Sequence, residues 1–196
     1  MNELREFLQK NKEKIHDLLN FMWSYVERTA IRLSKSIPNI DLENSHGNYI
    51  SLRDGWVEAV YANPCLIFKH GEFGYSLDGP YCVFALKSEA LDEETLNQLF
   101  EKHQKHPTVS LELYGGDDCF ETYFESSSEA AFDEILQKIH DSSEEIVQLE
   151  LTIPPLSEEE MNEDLIELTK KLYDFLAASE KLADLTTYLL SKETTS

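Results

Sequence analysis

The apolar positions of the chain follow two different rhythms. From residue 3 to 35 the spacing is helical: Leu4, Leu8, Asn11, Ile15, Leu18, Met22, Tyr25 and Thr29 alternate steps of four and three. Phe7, Leu19, Val26 and Leu33 widen that stripe, Phe21 and Trp23 add aromatic bulk, and Pro38 ends it. The spacing predicts one long helix, broken at most once. Asn39 to Asp54, with its Asn-Ser-His-Gly-Asn run, reads as a loop.

From Trp56 the rhythm changes. WVEAVYA is rich in β-formers, and Asn63-Pro64 stops it. CLIFKH and EFGYSL read as two strands joined through Lys69 to Glu72, and Asp78-Gly79-Pro80 is a second turn. YCVFALK is apolar on both faces, as a strand inside a sheet should be. Asp92 is a good N-cap for a helix over 93–105 that buries Leu96, Leu99 and Phe100. Val109, Leu111 and Leu113 then alternate with polar neighbours. After the turn Gly115-Gly116-Asp117-Asp118, so do Phe120, Thr122 and Phe124. Phe132, Ile135, Leu136 and Ile139 mark another helix, and Val147, Leu149, Leu151 and Ile153 a last strand.

Strand, helix, strand, strand, helix, strand between Tyr81 and Ile153 is the order of a ferredoxin-like βαββαβ unit. The fold expected is therefore α+β: a ferredoxin-like core, extended by the earlier strands into a mostly antiparallel sheet, with long N- and C-terminal helices. After Pro154-Pro155, Ser157 and Glu160 form a capping box. Leu165, Leu168, Leu172, Phe175, Ser179, Leu182, Thr186 and Leu189 then alternate threes and fours, which predicts a helix to about Ser191. Residues 1–38, 56–153 and 157–191 are read as N-terminal helix, core and C-terminal helix of one integrated domain.

Composition adds charge to this picture. The net charge is −21, but residues 1–38 hold seven basic and five acidic side chains, so the remainder carries −23. Nucleic acid is bound mainly through Lys and Arg, so direct contact with it is not expected. No apolar run is long enough to cross a membrane, and the polar N-terminus lacks the apolar core of a signal peptide. Cys65, Cys82 and Cys119 are odd in number and lie in or beside apolar runs, which fits buried thiols in a cytoplasmic protein.

Candidate chemistry is confined to one turn. Tyr114-Gly115-Gly116-Asp117-Asp118 resembles the GGDD turn of nucleotide cyclases and CRISPR-associated palm proteins, where it joins two central strands. That resemblance implies a metal site at Asp117 and Asp118. There glycines let a triphosphate approach the backbone, and the acids hold magnesium for nucleotidyl transfer. Such palms also need a carboxylate on the first strand, and Tyr81 to Lys87 has none. An ordinary hairpin turn, rich in Gly and Asp for their tolerance of positive φ, is the preferred reading. No catalytic residue and no cofactor is assigned outside the palm alternative. His103 and His106 are three apart but straddle a helix end, which does not make a zinc motif.

Trp56 to Ile153 is similar to a family of small, uncharacterised archaeal proteins. The residues that carry the similarity are Ala59 to Pro64, Leu113 to Gly116, and Ser142 to Glu150. The resemblance implies a folded α+β domain and brings no activity with it.

The function expected from these features is a non-enzymatic, acidic protein-interaction module. It would bind a protein partner or self-associate through its terminal helices. Three alternatives stand beside it. One is the palm-like cyclase or transferase. Another is a chaperone of the bacterial secretion type, whose helix–strand order residues 3–140 can be read to match. The third is a DNA-mimic inhibitor built on the acidic body.

Overall fold

The computed structural model describes residues 2–37, 40, 44–46, 51–53, 56–58, 64–76, 78–115, 122–123, 129–141, 145–154 and 159–188. Two helices open the chain, α1 (Asn2–Lys10) and α2 (Lys12–Ser36). The strands are β1 (Asn44–His46), β2 (Ser51–Arg53), β3 (Trp56–Glu58), β4 (Cys65–Phe68), β5 (Gly71–Ser76) and β6 (Gly79–Lys87). Next come α3 (Glu93–His103), β7 (Ser110–Tyr114), β8 (Thr122–Tyr123), α4 (Glu129–Asp141), β9 (Ile146–Thr152) and α5 (Glu159–Ala178).

The first two helices are nearly continuous. The Asn11 amide donates to the Phe7 carbonyl, and the Ile15 amide to that of Asn11, so hydrogen bonding runs through the junction. The Asn11 side chain also donates to Phe7 O, at 2.8 Å, a local bond that competes with the ideal helix. Farther on, the Asp92 carboxylate accepts from the Thr95 amide at 2.8 Å and caps α3, as its position before the apolar spacing predicts.

Seven strands form one sheet in the order β1-β4-β5-β6-β9-β7-β8, every pair antiparallel; β2 and β3 pair separately. The alternating apolar residues all use one face. Phe73, Cys82, Phe84, Leu86, Leu111, Leu113, Leu149 and Leu151 meet Met22, Val26 and Leu33 of α2 there. Leu96 and Leu99 of α3, Ile135 and Ile139 of α4, and Leu165, Leu168 and Leu172 of α5 close the same core. β6 is buried along all but its last residue, as its two-sided apolar sequence predicts.

Three expectations are corrected. The ferredoxin-like arrangement is not the one formed. β9, not the hairpin partner β8, fills the gap between β6 and β7. β9 pairs with β6 from Tyr81↔Thr152 to Lys87↔Ile146 and with β7 along Ser110–Tyr114, so both of its edges are satisfied in the interior of the sheet, and β8 meets β7 on the far side at Thr122 and Tyr123. The stretch read as a loop holds β1, which joins the sheet edge by backbone pairing with β4, and β2. Finally, the helix expected to run to about 191 is interrupted: α5 ends at Ala178, residues 185–188 are helical again, and 189–191 lie outside the described residues. The Glu180 amide donates to Ala177 O and the Lys181 amide to Leu176 O, the two bonds of a Schellman turn.

Candidate functional site

The hairpin turn is described only at its start. β7 delivers Gly115, which is buried; Gly116, Asp117, Asp118 and Cys119 lie outside the described residues. The surroundings do bear on the palm comparison. With β9 between them, β6 is not the neighbour of the strand that enters the turn. Among the described residues, no group of three or more His, Cys, Asp or Glu is placed to hold a metal ion.

The structure instead assembles carboxylates on the sheet face away from the helices. Register sets one row across four strands: Glu72 opposite Val83, Val83 opposite Glu150, and Glu150 opposite Glu112. Each is the polar member of an alternating strand, so all three share one face. Ser110 Oγ donates to Glu112 Oε1 at 3.0 Å, and Tyr114 donates to the other oxygen. Tyr81 shares a hydrogen bond with Glu72, and its phenol is raised far above its usual range, first by burial and then by that carboxylate. Burial, with the charges of Glu112, Glu72 and Asp78, pushes the Glu150 carboxyl up to about 7. Through Glu150 such a row can take up a proton near neutrality.

Cys65 and Cys82 are buried and in no disulfide. Burial pushes the Cys82 thiol up to about 12, which makes it a core side chain and not a nucleophile. His103 Nε2 donates to the Val109 carbonyl at 2.5 Å and stabilises the α3–β7 connection. His106, only 3 % exposed, accepts at Nε2 from Lys171 at 3.3 Å. An ammonium can only donate, so the His106 proton sits on Nδ1, facing Asp164 Oδ1 at 3.7 Å. The two histidines therefore join elements and have no shared zinc role.

The largest departure from a buried apolar pattern is on the first two helices. The buried side of α2 begins only at Met22. Before it, Phe7, Leu18 and Phe21 are 59, 44 and 49 % exposed. At 3.6 residues per turn they fall within about 60° of one another on the helix surface. Their periodicity marks them in the sequence as members of the apolar stripe. It could not show that the sheet reaches only as far as Phe21, whose ring meets Tyr75 edge-on at 5.8 Å, and leaves the other two exposed.

An antiparallel sheet covered by helices on one face and preceded by a long helix defines an α+β protein without an evident catalytic centre among the described residues. The chain belongs to the family described as protein of unknown function (DUF3201), whose match spans residues 6–167. That span takes in the N-terminal helices as well as the 56–153 segment in which the archaeal resemblance is legible. A solved structure, a conserved hypothetical protein from Pyrococcus furiosus, is 25 % identical, with a TM-score of 0.56. The match covers 82 % of this chain and 97 % of that one. No curated protein matches. Among the described residues no helix is long and apolar enough to cross a membrane.

Proposed function

We propose that the protein is a non-enzymatic, acidic protein-interaction module that self-associates through its N-terminal helices. Phe7 and Leu18 carry the proposal, joined by the half-exposed Phe21 at the rim of the Tyr75 contact, because they make an apolar stripe that the fold covers only at its edge. Single exposed apolar side chains need no explanation, whereas an aligned set marks a contact surface.

Charge selects a second copy as the occupant. The residues beyond 38 carry −23, so two bodies repel. Residues 3–21 hold four acidic and four basic side chains, and two such helices can meet without net repulsion. Heptad-like spacing suits a helix pair of this kind. Cys65 and Cys82 as buried thiols fit a reducing, cytoplasmic setting.

Sedimentation velocity over a range of concentrations tests the proposal. The wild-type chain should dimerise, and Phe7→Ser/Leu18→Ser should abolish that dimer at the lowest concentrations at which the wild type forms it, while leaving thermal stability nearly unchanged. A wild-type chain that stays monomeric at every concentration would overturn the proposal.

A further inference from the structure

The segment Lys181–Tyr188 takes a path that its own sequence does not favour. Ala177 to Ala183 contains no glycine or proline and is composed largely of good helix formers, and Leu182 and Thr186 continue the α5 stripe. Nevertheless the helix stops at Ala178, and Glu180 stands at φ 54°, the one non-glycine residue with positive φ among those described. A side chain with a Cβ is strained there.

The sheet holds the segment down. β5 pairs with β6 from Ser76↔Gly79 to Gly71↔Phe84, and the Ala85 amide still donates to His70 O. Beyond that point the same side of β6 is taken by the C-terminal segment. Leu182 pairs antiparallel with Leu86. The Lys87 amide donates to Lys181 O at 3.0 Å, the Ala183 amide to Ala85 O at 2.8 Å, and the Leu185 amide to Lys69 O at 2.9 Å. His70 Nδ1–H donates to Ala183 O at 2.8 Å. Ala183 and Leu185 bury against Ala85. Lys181 Nζ lies 3.6 Å from Asp92 and donates to Thr95 Oγ1.

Leu182 and Ala183 thus sit strand-like in a notch on β6, residues 185–188 turn back into helix behind the Asp184 cap, and a hinge whose residues prefer a straight helix tethers the whole segment. We propose that Lys181–Tyr188 exchanges between two copies of the chain. Ser179 and Glu180 straighten into α5, and the segment docks on β6 of the second copy. The exchanged form makes the same hydrogen bonds and apolar contacts and relieves Glu180, so the loss of association entropy and the repulsion of two acidic bodies are what oppose it. A second copy is the fitting occupant because it carries the Leu-Ala-Asp-Leu segment already seated there.

Positions 86 and 182 form a non-hydrogen-bonded antiparallel pair, the geometry that brings two strands closest and admits a disulfide. Leu86→Cys/Leu182→Cys is placed in the Phe7→Ser/Leu18→Ser background, which removes association through the N-terminal helices. The protein is concentrated, oxidised and run on a non-reducing gel, and the link is mapped by mass spectrometry. A dimer joined between position 86 of one copy and 182 of the other is expected. Glu180→Gly, which relaxes the hinge and disfavours the helix, should weaken dimerisation about tenfold. Glu180→Val should strengthen it. A link found only within single chains overturns the proposal. Should the cysteine pair fail to fold, sedimentation of the two hinge variants in the Phe7→Ser/Leu18→Ser background without it decides: dimerisation in the order Val, Glu, Gly at position 180 supports exchange, and identical profiles overturn it.

Discussion

At the scale of single residues, Glu150 is the side chain whose environment differs most from what its sequence neighbourhood suggests. Its carboxyl is raised to about 7, so the folded chain binds more protons than the unfolded chain between about pH 4.5 and 7. Stability contributed by this group therefore falls as pH rises through that window. Allowing for partial solvent contact, the cost at pH 8 is about 2 kcal/mol. Glu150→Gln should raise the melting temperature at pH 8 and leave it nearly unchanged at pH 4; parallel melting curves for the two proteins across that range would refute the coupling. Gly71 makes a second case. A Cβ there would lie 1.9 Å from the Val83 carbonyl and 2.8 Å from the Phe68 ring. Gly71→Ala should therefore destabilise the fold by about 2 kcal/mol or more, measured by urea unfolding. Gly74 is open to the Tyr81 ring in the same way, with the Tyr81 hydroxyl 2.5 Å from where a Cβ would stand. Neither contact is legible in sequence, because each depends on which strand lies opposite.

At the scale of elements, termini marked by chemistry were legible and termini set by packing were not. Asp92 caps α3 because its carboxylate reaches the Thr95 amide, and the hydrogen bond from the Thr95 hydroxyl, together with that amide, holds the Asp92 carboxyl below its usual range. Asp92→Ala should cost about 1 kcal/mol, read from chemical denaturation, and the loss should shrink as pH falls and the carboxyl protonates. The end of α5 carries no such signal. Its stripe of threes and fours runs on past Ala178, and only the seat on β6 pulls Leu182 out of helical register. The same limit applies to α1 and α2. Their periodicity identifies Leu18 as apolar-faced, yet Leu18 is exposed while Met22, one turn later, is buried. A helix of 25 residues spans about 37 Å, more than a sheet of short strands can cover.

At the scale of the whole molecule, net charge opposes compactness. With −21 on 196 residues, self-repulsion is the dominant long-range term. Exposed ion pairs such as Lys138–Glu134 at 3.4 Å contribute little against it. Raising sodium chloride from about 0.01 M to about 1 M shortens the screening length from about 30 Å to about 3 Å and should raise the melting temperature. A fall would mean that surface ion pairs outweigh the repulsion.

By itself the sequence determined the α+β class, the helical ends, the interior position of β6 and the reduced state expected of the buried cysteines, because periodicity, capping and composition act locally. Order in the sheet was decided by tertiary structure. Strand, helix, strand, strand, helix, strand is compatible with more than one arrangement, and β9, evenly alternating and paired along both edges, takes the place beside β6. That choice gathers Glu72, Glu112 and Glu150 into one row and sets β7, the strand that leads to Gly115, apart from β6. Each outcome depends on contacts between residues far apart in the chain, which no local pattern encodes.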